Sequence, residues 1–208
     1  MGKITALKEG KGRNQRINVF VDGRFAFSLE GDVVVAGALR VGQELTASEV
    51  EKLAAKDQHQ RGMNAAVRLL GYRPRSEAEL RERLLRHGFE KATIDSVMGK
   101  LKEQNLVDDT AFAEFWKENR QSFRPRSRRM TRLELRRKGV ESGVIDRIVA
   151  EIDDGDSAYR AAQPKARQMK AADYDVFRRR LGEYLRRRGF DYEVIKRTVE
   201  KMWQERDS

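Results

Sequence analysis

Between Arg120 and Lys138 the chain places nine arginines and lysines and a single acid, Glu134. Cationic groups at that density have almost no opposite charges for i,i+4 pairing, so the segment reads as a contact for an outside polyanion rather than as a self-neutralised helix face. Arg120 aside, the bases expected to make that contact are Arg124, Arg126, Arg128, Arg129, Arg132, Arg136, Arg137 and Lys138, and a second set follows at Arg178, Arg179, Arg180, Arg186, Arg187 and Arg188. At about 100° per residue, Arg128, Arg132 and Arg136 lie one turn apart beside a core stripe of Thr131 and Leu135, so one helix face follows a phosphate path. Met130 and Leu133 point away from that stripe. They suit a protein contact, because Met repacks easily, with packing against a neighbouring unit as the competing reading.

Catalytic and metal chemistry find little to work with. His59 and His87 are the two imidazoles, on different segments, and neither has a carboxylate-rich motif beside it. Asp108-Asp109 and the run Asp153-Asp154-Gly155-Asp156 look like carboxylate pairs, but each stands where one helix ends and another begins, which is where Asp caps free backbone N–H groups. Neither run has the Gly and Glu spacing of a calcium loop. The Gly10-Lys11-Gly12 stretch lacks the Lys-Ser/Thr ending of a phosphate loop and reads as a turn. Phe112, Phe115, Trp116, Tyr184 and Trp203 have helical spacing and read as core. We therefore expect no enzyme, no cofactor and no metal.

Composition agrees with the basic segment. The 208 residues are 37% charged and 39% hydrophobic, with a net charge of +11, which allows small cores and favours an anionic partner. Residues 1–60 hold nine bases against eight acids, so nearly all of the excess lies beyond residue 60. Without cysteine there is neither a disulfide framework nor a thiolate site. The longest apolar run, Val33 to Leu39, is far short of a membrane span, and no leader pattern opens the sequence. A cytoplasmic protein is expected.

Two kinds of element must carry these groups. RINVFVDGRFAFSLEG sets β-branched and aromatic residues on either side of Asp22-Gly23, a strong hairpin signal, and KITALKEG adds a strand before it. TASEVEKLAAK then predicts a short helix capped by Thr46 or Ser48. From about residue 60 the period is helical. In RSEAELRERLLRHGF, Ser76 caps a helix with Glu79 completing a capping box, Leu80 and Leu84 form the inward stripe, and Gly88 supplies the left-handed stop. Pro74 pushes Arg73 out of helical dihedrals.

That segment recurs. A shift of 51 residues lays Pro74 on Pro125, Ser76 on Ser127, Leu84 on Leu135, Gly88 on Gly139 and Ile94 on Ile145; a further 50 brings Leu185, Gly189 and Ile195 into the same places. Single helices of about 12 residues are marginal in water, so each unit must pack three of them. The fold class predicted is mainly α: three tandem three-helix repeats at 59–107, 108–154 and 155–208, behind a small β-hairpin-containing domain at 1–58. The third repeat is the most degenerate, with Pro164 expected to interrupt its first helix and no PRS turn before Phe177. Glu77 and Ala78 become Arg128 and Arg129 and then Arg178 and Arg179, so the scaffold is kept while one face turns basic.

RSEAELRERLLRHGF, the junction LVDDTAFAEFW (Leu106 to Trp116) and ELRRKGV (Glu134 to Val140) resemble the bacterial RecX regulators of the RecA recombinase. The likeness covers roughly residues 60 to 205. It implies a non-catalytic modulator that binds the groove of a RecA filament on DNA, single-stranded within the filament, and suppresses ATP hydrolysis and strand exchange in recombination, DNA repair and the SOS response; a monomer is expected. The alternative is a stand-alone DNA-binding protein whose basic unit works as a helix-turn-helix. Several basic faces without an evident Asn or Gln reading set favour backbone contact over base readout.

Overall fold

The computed structural model describes residues 2–10, 16–169 and 173–205. The expected turn at Lys11-Gly12 lies outside them. The chain falls into two compact units, Met1–Arg73 with Leu80–Leu106, and Pro74–Glu79 with Val107–Ser208.

In the first unit, β1 (Gly2–Glu9), β2 (Arg16–Val21), β3 (Arg24–Glu30) and the short β4 (Glu44–Leu45) make an antiparallel sheet in the order β3-β2-β1-β4. Asp22 and Gly23 turn the β2–β3 hairpin with φ of 51° and 80°, so Val21 pairs directly with Arg24. Register shifts at Ile4/Ala6 and Val19/Phe20 mark bulges, which sharpen the twist. One face buries Ile4, Val19, Leu29 and Leu45 against Val33 of α1 (Gly31–Ala36) and Leu53 of α2 (Ala47–Tyr72). A partly buried ion network fixes α2 to the sheet. Arg16 reaches Glu30 and Asp57, each at 3.1 Å, and the buried Asp57 accepts the Glu30 amide at 2.7 Å.

The short helix expected after Thr46 is instead the start of a 26-residue helix that runs through residues 58 and 59. Thr46 caps it in a full capping box with Glu49. The polar stretch from Lys56 to Arg61 hides its continuity, because the buried stripe passes through Asp57 and Gly62 rather than through large apolar residues. It stops at Arg73, whose φ of −169° and ψ of 158° are the extended dihedrals forced on a residue before proline. With α3 (Glu77–Arg86) and α4 (Lys91–Glu103) it forms the first three-helix repeat, where Ala66, Leu84, Ile94, Val97, Met98 and Leu101 are buried.

The second unit holds the other two repeats. In one, α5 (Asp109–Phe123), α6 (Arg128–Arg137) and α7 (Ser142–Ala150) bury Phe112, Ala113, Leu135, Ile145, Ile148 and Val149. In the other, α8 (Asp154–Arg167), α9 (Tyr174–Arg187) and α10 (Tyr192–Gln204) bury Ala158, Ala162, Phe177, Leu181, Leu185 and Val199, with Trp203 and Tyr184 against them. The expectation that Pro164 interrupts the first helix here is overturned: α8 continues through it to Arg167. Pro164 is exposed, and so is Arg160, whose carbonyl loses its amide partner at the water-facing side.

Candidate polyanion-binding face

The arginines are placed by caps. Ser127 Oγ accepts the Met130 amide at 3.2 Å and so starts α6; Asp173 accepts the Val176 amide at 2.9 Å and starts α9 one turn earlier in the repeat. Thr131 and Leu135, and likewise Leu181 and Leu185, are fully buried, which turns the intervening bases outward. The second helices then join end to end. Ser127 Oγ donates to Gly189 O at 2.7 Å and its amide to Arg188 O at 3.2 Å, so the C-terminus of α9 meets the N-terminus of α6. The device recurs one repeat earlier: Ser76 Oγ accepts the Glu79 amide and donates to Lys138 O at 2.6 Å, joining the C-terminus of α6 to the first turn of α3.

Two glycines make this approach possible. Gly139 and Gly189 have φ of 77° and 90°, and a Cβ at Gly139 would lie 2.3 Å from Ala78 Cβ, one at Gly189 2.7 Å from Ser127 Oγ. The paired aspartates divide the work between repeats. Asp108 and Asp153 cap their own helices, α5 and α8, while Asp109 and Asp154 accept the amides of Glu77 (2.8 Å) and Arg128 (2.6 Å) across the repeat boundary. Capping was the reading of these runs, and the cross-repeat half of it was not visible in the sequence.

The predicted bases separate into two groups. Some have partners within the protein. Glu134, the lone acid of the segment, has a side chain only 13% exposed, and it takes Arg120 at 2.7 Å, Arg126 at 2.9 Å and the Trp116 indole N–H at 2.8 Å. Lys138 pairs with Glu79 and lies 5.1 Å from the Trp116 ring centroid. Arg128 donates to Ile152 O at 2.8 Å, Arg188 to the Tyr184 hydroxyl at 2.7 Å, and Arg132 pairs on the surface with Asp146 at 2.8 Å. Arg178 stands 3.7 Å from Asp175, an exposed pair worth little. The remaining bases are Arg124, Arg129, Arg136 and Arg137 around α6, with Arg179, Arg180, Arg186 and Arg187 on α9. All are exposed, and among the described residues none of their guanidinium groups has a partner. Of the stripe Arg128, Arg132 and Arg136, only Arg136 is in that condition.

Met130 is half-buried with its Cβ 2.9 Å from the place a Gly189 Cβ would take, so it covers the Gly189 turn; Leu133 is 38% exposed between Arg129 and Arg137. Sequence reasoning passed over Phe123, the last residue of α5, although the repetition of YRPRS as FRPRS contained it. Near these helices Glu151 is held below the usual carboxylate range by its hydrogen bond from Lys117 and by that ammonium's charge. His59 faces Ser96 Oγ at 3.0 Å in an open cleft of the first unit. No cluster of His, Cys, Asp or Glu able to hold a metal ion occurs among the described residues, and no helix there is long and apolar enough to cross a membrane.

Three three-helix units behind a small sheet, the later two carrying exposed arginines without partners among the described residues, define a helical repeat protein. The comparisons agree with that class and specify it. Family profiles described as the regulatory protein RecX N-terminal domain and the RecX first, second and third three-helix domains match residues 2–46, 63–101, 108–147 and 153–199. The chain belongs to the RecX family. A regulatory protein RecX of Chlorobium limicola is 35% identical over 67% of this chain and 87% of its own, and one of Clostridium perfringens is 28% identical over 97% of both. Among solved structures, a regulatory protein RecX superposes with a TM-score of 0.69 at 22% identity, covering 96% of this chain and all of that one. RecX from Lactobacillus salivarius gives 0.60 at 20% identity, over 71% of this chain and 97% of the other. These two likenesses bear on the fold alone.

Proposed function

We propose that the protein is a non-catalytic, monomeric cytoplasmic regulator that binds the RecA–DNA filament through the outward faces of α6 and α9 and damps ATP hydrolysis and strand exchange in recombination and repair. The observation that carries this reading is the set of exposed guanidinium groups without partners among the described residues on two helices joined end to end, such as Arg129, Arg136, Arg186 and Arg187. A row of that length suits a continuous phosphate path, and the regulatory names of the relatives supply the kind of role. Leu133 among those arginines suits simultaneous contact with protein. The second reading, a helix-turn-helix that reads bases, is disfavoured because neither α6 nor α9 contains Asn or Gln.

The test is fluorescence anisotropy with single-stranded DNA, bare and within a RecA filament locked by an ATP analogue, across a salt series. With about six phosphates contacted, log K against log salt should have a slope of about −4 on single strands. Replacing Arg129, Arg136 and Arg137 together by Ala should weaken filament binding and flatten that slope by about 2, with helicity unchanged. Unaltered binding by the triple variant would overturn the assignment of the face, and equal affinity for bare and filament-bound strands would leave a general DNA binder.

A further inference from the structure

The fold uses the repeated motif YRPRS and FRPRS at nearly every position. The serines cap and clasp, Pro125 ends α5 by forcing Arg124 out of the helix, and Arg126 is held by Glu134. The leading aromatic has no such employment. Tyr72 and Phe123 close α2 and α5, the first helices of their repeats, and each is 78% exposed. Neither ring has an aromatic or cationic neighbour among the described residues. A single exposed apolar side chain is ordinary. Two aromatic ones at the same place in successive repeats, equally exposed and without a ring or cationic neighbour among the described residues, point to a contact outside the chain.

The surroundings of Phe123 define that contact. Arg124, next to it, is exposed and its guanidinium has no partner among the described residues; Glu134, the only acid from Arg120 to Lys138, is already taken by Arg120 and Arg126. An aromatic face in a positive field fits a ligand that alternates negative charge with flat π-surfaces. A duplex offers the charge but hides the base faces in its stack, and an acidic protein surface supplies charge without a stacking partner. An unpaired nucleic-acid strand supplies both.

We propose that Phe123 and Tyr72 are stacking platforms for the bases of a single-stranded nucleic acid, with Arg124 holding the phosphate beside Phe123. This inference rests on the reading that the protein contacts DNA, and it adds that unpaired bases, and not only the backbone, are turned toward the protein.

The test compares the full-length protein with its Phe123→Leu and Tyr72→Leu variants on a labelled oligothymidine and on an abasic strand of the same length. Leucine keeps an apolar side chain at an exposed helix end, so circular dichroism and melting should match the parent. Each variant should lose about tenfold in affinity for oligothymidine, the size of one lost base–aromatic stack, with the salt slope unchanged because no phosphate contact is removed. On the abasic strand the difference should vanish. Phe123→Trp should retain affinity and show indole quenching by the base-bearing strand. Equal affinities of parent and leucine variants for oligothymidine, with the salt dependence intact, would overturn the stacking inference while leaving the arginine face standing. A loss seen only on the RecA filament would assign the rings to protein contact and overturn it as well. Absence of salt-dependent binding to either strand by the parent would remove the DNA contact beneath both readings.

Discussion

Thr131 occupies the centre of the second repeat's core, fully buried, and its hydroxyl finds no partner among the described residues. The equivalent places in the first and third repeats hold Leu80 and Leu181, both also fully buried. A buried polar atom without a hydrogen bond costs about 1–3 kcal/mol, so Thr131→Val should raise the stability of the protein by about 1 kcal/mol in urea titration. A loss of stability would show that the hydroxyl is satisfied in solution. Glu134 teaches the opposite lesson at the same scale. The sequence marked it only as a lone acid among bases, whereas its carboxylate gathers two arginines and an indole N–H. Removing it would leave Arg120 and Arg126 without their shared counter-charge. That Arg120 and Arg126 are structural rather than free is therefore settled by where one carboxylate sits.

Among the elements, α2 differs most from its sequence reading, and its N-terminus carries a pH signature. The Thr46 amide, then the Thr46 hydroxyl, and to a smaller extent the Lys52 charge hold the Glu49 carboxyl below its usual range. A depressed folded-state value means that the unfolded chain takes up the proton first. The stabilisation is thus complete above the ordinary carboxylate pKa and is lost as pH falls through the lowered one. Glu49→Gln should melt below the parent at neutral pH, with the gap closing on acidification; a gap independent of pH would show that the charge contributes nothing. Strands β1 to β3, the Asp22-Gly23 turn, the Thr46 and Ser76 caps and the Pro74 stop were legible because each depends on residues within a few positions of one another. The passage of α2 through Asp57 and Gly62, and of α8 through Pro164, was not. Both rely on what faces the helix: a partly buried ion network at Asp57 and open solvent at Pro164.

At the scale of the whole molecule, one clasp is used twice. Ser76 to Lys138 and Ser127 to Gly189 span the same 62 residues, each hydroxyl capping its own helix and closing on the next repeat. Ser127→Ala removes the cap and leaves the Gly189 carbonyl without that donor, at a cost of about 2 kcal/mol. Hydrogen exchange should quicken at the N-terminus of α6 and the C-terminus of α9 while α2 and α4 keep their protection; an unchanged exchange pattern would deny the clasp a stabilising role. The sequence by itself determined the class, the three-fold repetition and the basic character of the later repeats, because periodicity, capping residues and charge are properties of short stretches read in order. Only the tertiary structure decided which bases remain free, that Asp109 and Asp154 cap across repeat boundaries, and that Tyr72 and Phe123 stand uncovered. Those outcomes follow from contacts between residues tens of positions apart, and a linear pattern carries no record of which distant group arrives to share a proton, a charge or a surface.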